Sequence, residues 1–370
     1  MVKTELFNLA EYQPFPLIRD AHQVKELSIA YQIPEEDILL IALNLSGIVY
    51  VDNIGPRGRF IAESLETGRK YLVALTITDK PLSPFFHDGQ VVKLDDKVIF
   101  KATEIEPDTC TDSYWRGGKK HLTLNSNSRS RCKGCAFCGT YELTSLDAPL
   151  TNPEALIKKA QELLYNLQSD DLSSIESIGI VTGCFPSEEA VVNHLLMIRE
   201  VFSRFGFKGE IEYVGSQIRT YHSLKRLIEG GPMALYLTVE HFERREQLMK
   251  KQKASLSIEK GLELLRQAKN IGFETSFLYI VGLDSLSTME AILPNYREVI
   301  TRLPLAQTFQ LYNPAQIRLR NPEANGIEYY LKARKIFENS FPELMPDSIR
   351  NYRGLWFTTY QDKPLPNAPI

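Results

Sequence analysis

Three of the chain's five cysteines lie within seven positions, at Cys132, Cys135 and Cys138 of the stretch SRSRCKGCAFCGTYE. Thiolates are the preferred ligands of zinc and of iron–sulfur clusters, and a C-x2-C-x2-C loop can wrap either one. Zinc in a structural site wants four protein ligands. His121 is the nearest candidate for the fourth, and no second cysteine knuckle follows. A four-iron cluster needs no fourth protein ligand if one iron is kept for a molecule that binds there, and an open position is what separates a catalytic metal site from a closed structural one. Gly134 and Gly139 permit a tight backbone path around such a centre. The other cysteines, Cys110 and Cys184, are isolated, so the five do not read as a disulfide framework.

The segments around this loop follow one rhythm. From residue 121 on, short apolar runs alternate with amphipathic ones: strands at 121–125, 177–183, 209–215, 233–240, 273–282 and 306–313, and helices at 153–168, 187–206, 220–231, 257–272, 287–303 and 326–339. Six strand–helix units imply a parallel sheet covered on both faces, either an open doubly wound sheet or a curved, incomplete barrel. In both cases functional residues belong in loops after the C-terminal strand ends. The cysteine loop has that place after the first strand.

Residues 1–118 read differently, as a small α+β domain with helical segments at 21–33 and 35–45, a strand at 70–78, and a hairpin over 89–105 turning at Asp95–Asp96. The charged stretch EHFERREQLMKKQK (240–253) reads as a solvated connection and helix surface. His194 and His222 fall in helix patterns and read as surface residues. The remaining residues, 346–370, form a C-terminal extension expected to pack on the barrel.

The composition, 43% hydrophobic and 24% charged, is that of a globular protein, and a net charge of −3 gives no global case for nucleic-acid binding. No apolar run reaches the ~18 residues that span a bilayer, and MVKTELFNLAEYQPF lacks the apolar core of a secretory signal. These features lead us to expect a cytoplasmic protein that is not membrane-bound.

Together, the strand, the three-cysteine loop and the βα units over residues 121–340 resemble the radical S-adenosylmethionine (radical SAM) superfamily, and within it the single-cluster, biotin synthase-like group. CAFC matches the second half of that family's C-x3-C-x2-C motif, with Phe137 as the aromatic before the last cysteine. The first spacing departs, with two residues between Cys132 and Cys135. SIGIVTG, LYLTVEHF, IGFETSFLYIVGLDSLSTMEA and FQLYNPAQIRLRNPEA resemble later cofactor- and substrate-lining regions of that group, in the same order. The resemblance implies an α/β fold, a partial (β/α)6 TIM-like barrel spanning 119–345 with the additional N-terminal α+β domain.

It further implies a [4Fe-4S] cluster on Cys132, Cys135 and Cys138, with S-adenosylmethionine chelating the fourth iron and cleaved reductively to a 5′-deoxyadenosyl radical. That radical would take hydrogen from a small-molecule substrate in a rearrangement, carbon–carbon bond chemistry, a dehydrogenation or a methylation. Implied cofactor contacts are Phe137, Thr182, Gly183, Thr238, Glu240 and the backbone near Gly282. Cys184, next to the second strand's end, is a candidate hydrogen donor or sulfur holder, or a buried small hydrophobe. Gln217 and Arg219 after the third strand, and Tyr312, Asn313, Gln316 and Arg318 after the sixth, are substrate candidates. Arg318 could clamp a carboxylate or phosphate, although Arg320 could replace it and either could simply bridge domains. Arg129, Arg131 and Lys133 either ease entry of an electron from flavodoxin or ferredoxin or are ordinary surface charges. The rival reading is a zinc or iron–sulfur module that binds a partner or nucleic acid without catalysis.

Overall fold

The computed structural model describes residues 17–52, 54–102, 105–108, 113–127, 134–139, 148–346 and 352–367. Among the described residues, Asp20 caps the first helix by accepting the Gln23 N–H at 2.8 Å, which starts α1 (Ala21–Tyr31). Helix α2 (Glu35–Ser46) opens on Glu35, Glu36 and Asp37, where carboxylates suit a helix N-terminus, and is then buried almost all round. It is apolar on every side because it lies between two sheets.

One of these sheets belongs to the N-terminal region: β1 (Val49–Tyr50), β2 (Arg57–Ser64), β3 (Lys70–Thr76), β4 (Phe85–His87), β5 (Val91–Leu94), β6 (Lys97–Ala102) and β7 (Glu106–Pro107), in the order β1-β4-β5-β6-β2-β3 with β7 on β2. The hairpin turns at Asp95–Asp96 as the alternation predicted, with Asp95 at φ +54°. Strand β2, RGRFIAES, was not evident in the sequence, since its two arginines and glycine break the alternation.

The second sheet carries β8 (Tyr114–Arg116), β9 (His121–Leu124), β10 (Ser177–Val181), β11 (Glu210–Gly215), β12 (Met233–Glu240), β13 (Glu274–Val281) and β14 (Leu305–Thr308). Strands β9 to β14 pair in chain order and all in parallel, while β8 runs antiparallel on the β9 edge, giving a curled half-barrel sheet. Every residue of β12 is buried, as a strand covered on both faces requires. The crossovers are α3 (Pro153–Leu167), α4 (Glu188–Arg204), α5 (Tyr221–Glu229), the short α6 (Arg245–Leu248) and α7 (Lys251–Ala254), α8 (Ile258–Asn270) and α9 (Leu286–Ile292). Asn152, Ser187, Thr220, Ser257 and Ser285 cap five of them with side-chain oxygens.

Two expected elements are shorter than the sequence suggested. The helix expected over 287–303 is α-helical only to Ile292, because Pro294 cannot donate and the chain tightens into a 3-10 turn at Leu293–Tyr296. The strand expected over 306–313 ends at Thr308, and Phe309–Tyr312 turn toward the mouth of the sheet.

After β14 come α10 (Ile327–Ser340) and a small hairpin, β15 (Thr359–Tyr360) with β16 (Lys363–Pro364). Arg334 of α10 fastens three distant segments. It contacts Asp37 of α2, donates to Glu338 Oε1 at 2.9 Å, and reaches the Leu355 and Thr359 carbonyls at 3.1 and 2.7 Å. The N-terminal region is also tied to the end of β14, through Asn44 and the Ala74 carbonyl to Gln310 (3.0 and 2.9 Å) and Thr76 Oγ1 to the Leu311 carbonyl (2.6 Å). No helix among the described residues is long and apolar enough to cross a membrane.

Candidate active site

The parallel strands open at their C-terminal ends into a cavity of about 190 Å³. Its walls come from Val181–Cys184 after β10, Tyr213–Gln217 at the end of β11, Thr238 and Glu240 of β12, Leu278 and Ile280 of β13, and Gln307–Gln310 with Tyr312 after β14. Phe137 and Cys138 close it on one side, Lys250 and Lys253 on another, and Arg353 reaches in from the C-terminal extension.

The described part of the cysteine loop is held by both neighbours. Cys138 N–H returns to the Cys135 carbonyl at 3.2 Å, Ala136 N–H donates to the Leu248 carbonyl at 2.8 Å, and the Gln316 amide donates to the Ala136 carbonyl at 3.2 Å. Cys135 and Cys138 pack against an apolar group of Phe137, Leu248, Met249, Leu283 and Phe309. Burial pushes the Cys135 thiol above its ordinary range, opposed by the Lys253 ammonium and by the Lys250 N–H. Both glycines are dictated by space. Gly134 sits at φ +111° with Lys250 Cβ 2.9 Å from where its own Cβ would be, and a Cβ on Gly139 would lie 2.3 Å from the Tyr312 ring. Cys132, Arg129, Arg131, Lys133 and Cys110 lie outside the described residues, and among those described no group of three or more metal-ligating side chains occurs.

His121 is not placed to complete a zinc site. It sits at the first residue of β9, with Nδ1 2.9 Å from Ser177 Oγ and Nε2 3.5 Å from Glu176, whereas the cysteine loop follows the other end of the strand. His194 is also corrected. It is buried on α4, 2.7 Å from Ser126 Oγ and stacked near Phe185, and burial pulls its pKa down to about 4. His222 is exposed, as expected.

The largest correction concerns 240–253. This stretch folds only partly inward: Glu246, Gln247, Lys251 and Gln252 stay exposed on two short helices as expected, while other charged residues of it are held inside. Asp284, fully buried, accepts the Phe242 and Glu243 N–H groups at 2.7 and 2.8 Å and the Tyr279 hydroxyl at 2.5 Å. Arg244 donates to the Leu283 and Leu319 carbonyls (2.7 and 2.8 Å), and Arg245 to those of Val239, His241 and Leu256 (2.7, 2.6 and 2.9 Å). The arginines thus satisfy carbonyls where the chain leaves β12, and the segment is charged because it caps backbone in the interior. One consequence is that Lys250 Nζ contacts Cys184 Sγ and Lys253 Nζ contacts Glu240. Burial alone would lower the Lys253 pKa, but Glu240 and the Cys135 sulfur outweigh it and hold the ammonium above its ordinary range.

Glu240 stands at a register shift in the β12–β13 pairing with φ +69°, a left-handed conformation that a non-glycine residue adopts at a cost of order 1 kcal/mol or more. The bulge aims its carboxylate at the cavity instead of into the helical layer. Two residues earlier, the Thr238 hydroxyl is buried in the cavity wall with no hydrogen-bond partner among the described residues. A hydroxyl in that state is set for a ligand that supplies the missing bond.

The structure separates the other sequence candidates. Thr182, Gly183, Cys184, Gln217 and Tyr312 line the cavity, although Gln217 spends both ends of its amide on the Phe185 backbone (2.9 and 2.8 Å) and Thr182 Oγ1 donates to the Gly183 carbonyl (2.7 Å). Arg219 turns away, tying Ser216, Gln252 and Ser255 together, so it positions the lysine-bearing segment. Asn313 leads into a 3-10 turn and Arg318 is exposed, both outside the cavity wall. Arg320 is the bridging arginine, buried and donating to the Leu45 carbonyl of α2 at 3.3 Å. The Gly282 carbonyl accepts the Asn321 N–H at 2.8 Å, and the residue packs on Tyr330 rather than facing the cavity. Lys250, Lys253, Tyr213, Gln310 and Arg353 were missed. The lysines were hidden in a run that reads as surface, and Arg353 belongs to a tail with no motif.

No family model matches the chain, and no curated protein matches it. Solved structures that match include two of the radical S-adenosylmethionine methyltransferase TsrM from Kitasatospora setae, one with cobalamin and a [4Fe-4S] cluster and one with tryptophan and a SAM analogue. Both are 12% identical, cover 54% and 52% of this chain, and give TM-scores of 0.37 and 0.36. The match spans 36% of those chains. A likeness this faint bears on neither reaction nor substrate.

Proposed function

We propose that this cavity is the active site of a radical SAM enzyme acting on a small molecule, with Cys132, Cys135 and Cys138 holding a [4Fe-4S] cluster that leaves one iron to S-adenosylmethionine. The observation that carries the reading is the position of Cys138 and Phe137 in the wall of a cavity at the C-terminal mouth of a parallel sheet. The residues present suit the group. Two soft thiols pack against one apolar group on a loop whose glycines make room for close packing, and a hydroxyl without a partner among the described residues lines the cavity that Cys138 borders. When bound, the cluster and SAM together supply one-electron cleavage of the sulfonium and hydrogen abstraction from the substrate.

The chain's own residues do the rest. Phe137, Leu248, Met249, Leu283 and Phe309 form an apolar backing for the cysteine loop, against which Cys135 and Cys138 are half-buried. Thr238 offers a donor, and Glu240, fixed by its bulge and by Lys253, offers an acceptor for an ammonium or a ribose hydroxyl. Gly183 and Thr182 present backbone beside them. Cys184 lines the same cavity, in contact with Lys250. Flavodoxin or ferredoxin is the proposed electron donor.

The test is anaerobic reconstitution with iron and sulfide, followed by dithionite and SAM. About four irons and four sulfides per chain, with 5′-deoxyadenosine formed and lost together in Cys135→Ala and Cys138→Ala, is the expected result. Zinc without sulfide, or an intact cluster that yields no 5′-deoxyadenosine, would overturn the reading.

A further inference from the structure

The segment that follows β14 is held from two sides. On one side stands the N-terminal region. The Gln310 amide donates to Asn44 Oδ1 and the Ala74 carbonyl, Thr76 Oγ1 donates to the Leu311 carbonyl at 2.6 Å, and Arg57 Nη2 donates to Gln310 Oε1 at 3.1 Å. On the other side stands the cysteine loop. Gln316 accepts the Tyr312 N–H at 2.7 Å and donates to the Ala136 carbonyl at 3.2 Å, and the Tyr312 ring lies 2.3 Å from where a Cβ on Gly139 would be. The backbone at Gly139 lies outside the left-handed region, so it is the ring and not a turn that demands a glycine there.

Arg57 is where the two sides meet. It opens β2, is 3% exposed, and is paired with Asp108, whose Oδ2 lies 2.9 Å from both Nε and Nη2. Its guanidinium carbon stands 4.9 Å from the centre of the Tyr312 ring. A guanidinium stripped of water is held to a ring face more firmly than one at the surface. The base that carries it is fixed. Arg57 pairs with Thr76 of β3, its carbonyl accepts the Asp108 N–H at 3.2 Å, and the two outer strands of that sheet are bridged to each other at Ile48 and Ile77.

We propose that Arg57 is a positioning residue for the cysteine loop: seated on Asp108, it holds the face of the Tyr312 ring, and the ring sets how far the loop can move at Gly139. No described residue of the N-terminal region lines the cavity, so that region acts on the thiols through Tyr312 and the strap that carries it. What the loop holds rests on the reading above, and its positioning does not.

The test is hydrogen exchange of the full-length chain before any reconstitution, resolved to single amides by fragmentation mass spectrometry. The reporters are the Ala136 and Cys138 amides, bonded to the Leu248 and Cys135 carbonyls, and the reference is β12, paired on both edges. Arg57→Gln combined with Asp108→Asn removes the cation without leaving a buried carboxylate unpaired. Exchange at the two loop amides should rise about fivefold, the order given by loss of a desolvated cation–π contact, with β12 unchanged. Tyr312→Ala should do the same. Tyr312→Phe keeps the ring face and loses the hydroxyl that Arg353 approaches at 3.4 Å, and its loop should exchange as in the unaltered chain.

Gly139→Ala should also speed the loop amides, because its Cβ meets the ring. Added to Tyr312→Ala it should bring no further increase, since the obstacle is then gone. Loop amides unmoved in the Arg57 and Asp108 variant, loop and β12 amides rising together, Tyr312→Phe matching Tyr312→Ala, or Gly139→Ala adding its full effect to Tyr312→Ala would each overturn the proposal. None of these readouts involves iron or SAM. A chain that binds zinc or cleaves no SAM would therefore sink the enzymatic reading and leave the positioning role standing.

Discussion

Two buried ion pairs in this molecule are built to opposite ends. Asp37 and Arg334 lie deep between α2 and α10, and their polar atoms are widely engaged. Asp37 accepts the Thr358 N–H and hydroxyl, both at 2.7 Å, besides the guanidinium, and Arg334 also reaches Glu338 and two backbone carbonyls. Glu240 and Lys253 meet at the edge of a cavity, on a strained backbone and a flexible four-carbon arm, with an unpartnered hydroxyl nearby. The first pair has used its capacity to bond within the protein. The second borders a cavity in which a buried hydroxyl has no partner among the described residues, and it is less deeply buried, at 14% and 8% exposed against 1% and 0%.

The sharpest way to break this contrast is at Asp37. Asp37→Ala leaves Arg334 buried without its carboxylate and the Thr358 groups without an acceptor, so unfolding in urea should show a loss of about 3–5 kcal/mol. Arg334→Ala should cost a similar amount, and the double variant much less than the sum of the two. Near-additive losses would mean that the two residues do not act as one unit.

A smaller effect is expected at His194, whose burial is paired with a single hydroxyl. Its folded pKa of about 4 lies below the ordinary 6.5, so between these values the unfolded chain binds a proton that the native state refuses. Stability should therefore fall as pH drops from about 6.5 toward 4, by up to about 1.4 kcal/mol per pH unit from this residue. His241, also lowered to about 4 by burial, acts in the same direction. His194→Gln should flatten the pH dependence of the urea midpoint, and an unchanged slope would remove His194 as its source.

The smallest stability change belongs to the cavity pair. Glu240→Gln leaves the Lys253 ammonium, 14% exposed where Arg334 is 1% exposed, without its carboxylate, so the loss should be smaller than that at Asp37. SAM-dependent 5′-deoxyadenosine formation should nevertheless drop at least tenfold. A stability loss as large as that at Asp37, with SAM cleavage intact, would place Glu240 with the structural groups instead.

What could be read from the sequence follows from the range of the interactions involved. Period and caps are local, so the helices beginning after Asn152, Ser187, Thr220 and Ser257 start within a residue of where the pattern put them. The same holds for β12, whose unbroken apolar run has one reading in a parallel sheet. Thr238 and Glu240 came from the resemblance and not from local pattern, and both stand in the cavity wall, Glu240 as the last residue of β12. EHFERREQLMKKQK could be read only in part: Glu246 and Lys251 are on exposed helix surface as expected, but charge alone does not say that Arg244 and Arg245 would meet buried carbonyls. The carbonyls that Arg244 and Arg245 satisfy belong partly to Leu283 and Leu319, far along the chain. Arg353 was invisible for a related reason, since its backbone tie to Thr308 spans 45 residues of sequence.

That tie also bears on how the molecule comes into being. One wall of the cavity is supplied by residue 353, while the knot that fixes the surrounding segment joins Asp37, Arg334 and Thr358 across separations of up to 321 residues. Contacts of such long range close late in folding, after the loop entropy between them has been overcome. During synthesis the cysteine loop and the strand ends emerge well before Arg353. A nascent chain therefore passes through a stage in which the strand ends are made and the cavity is still open on that side.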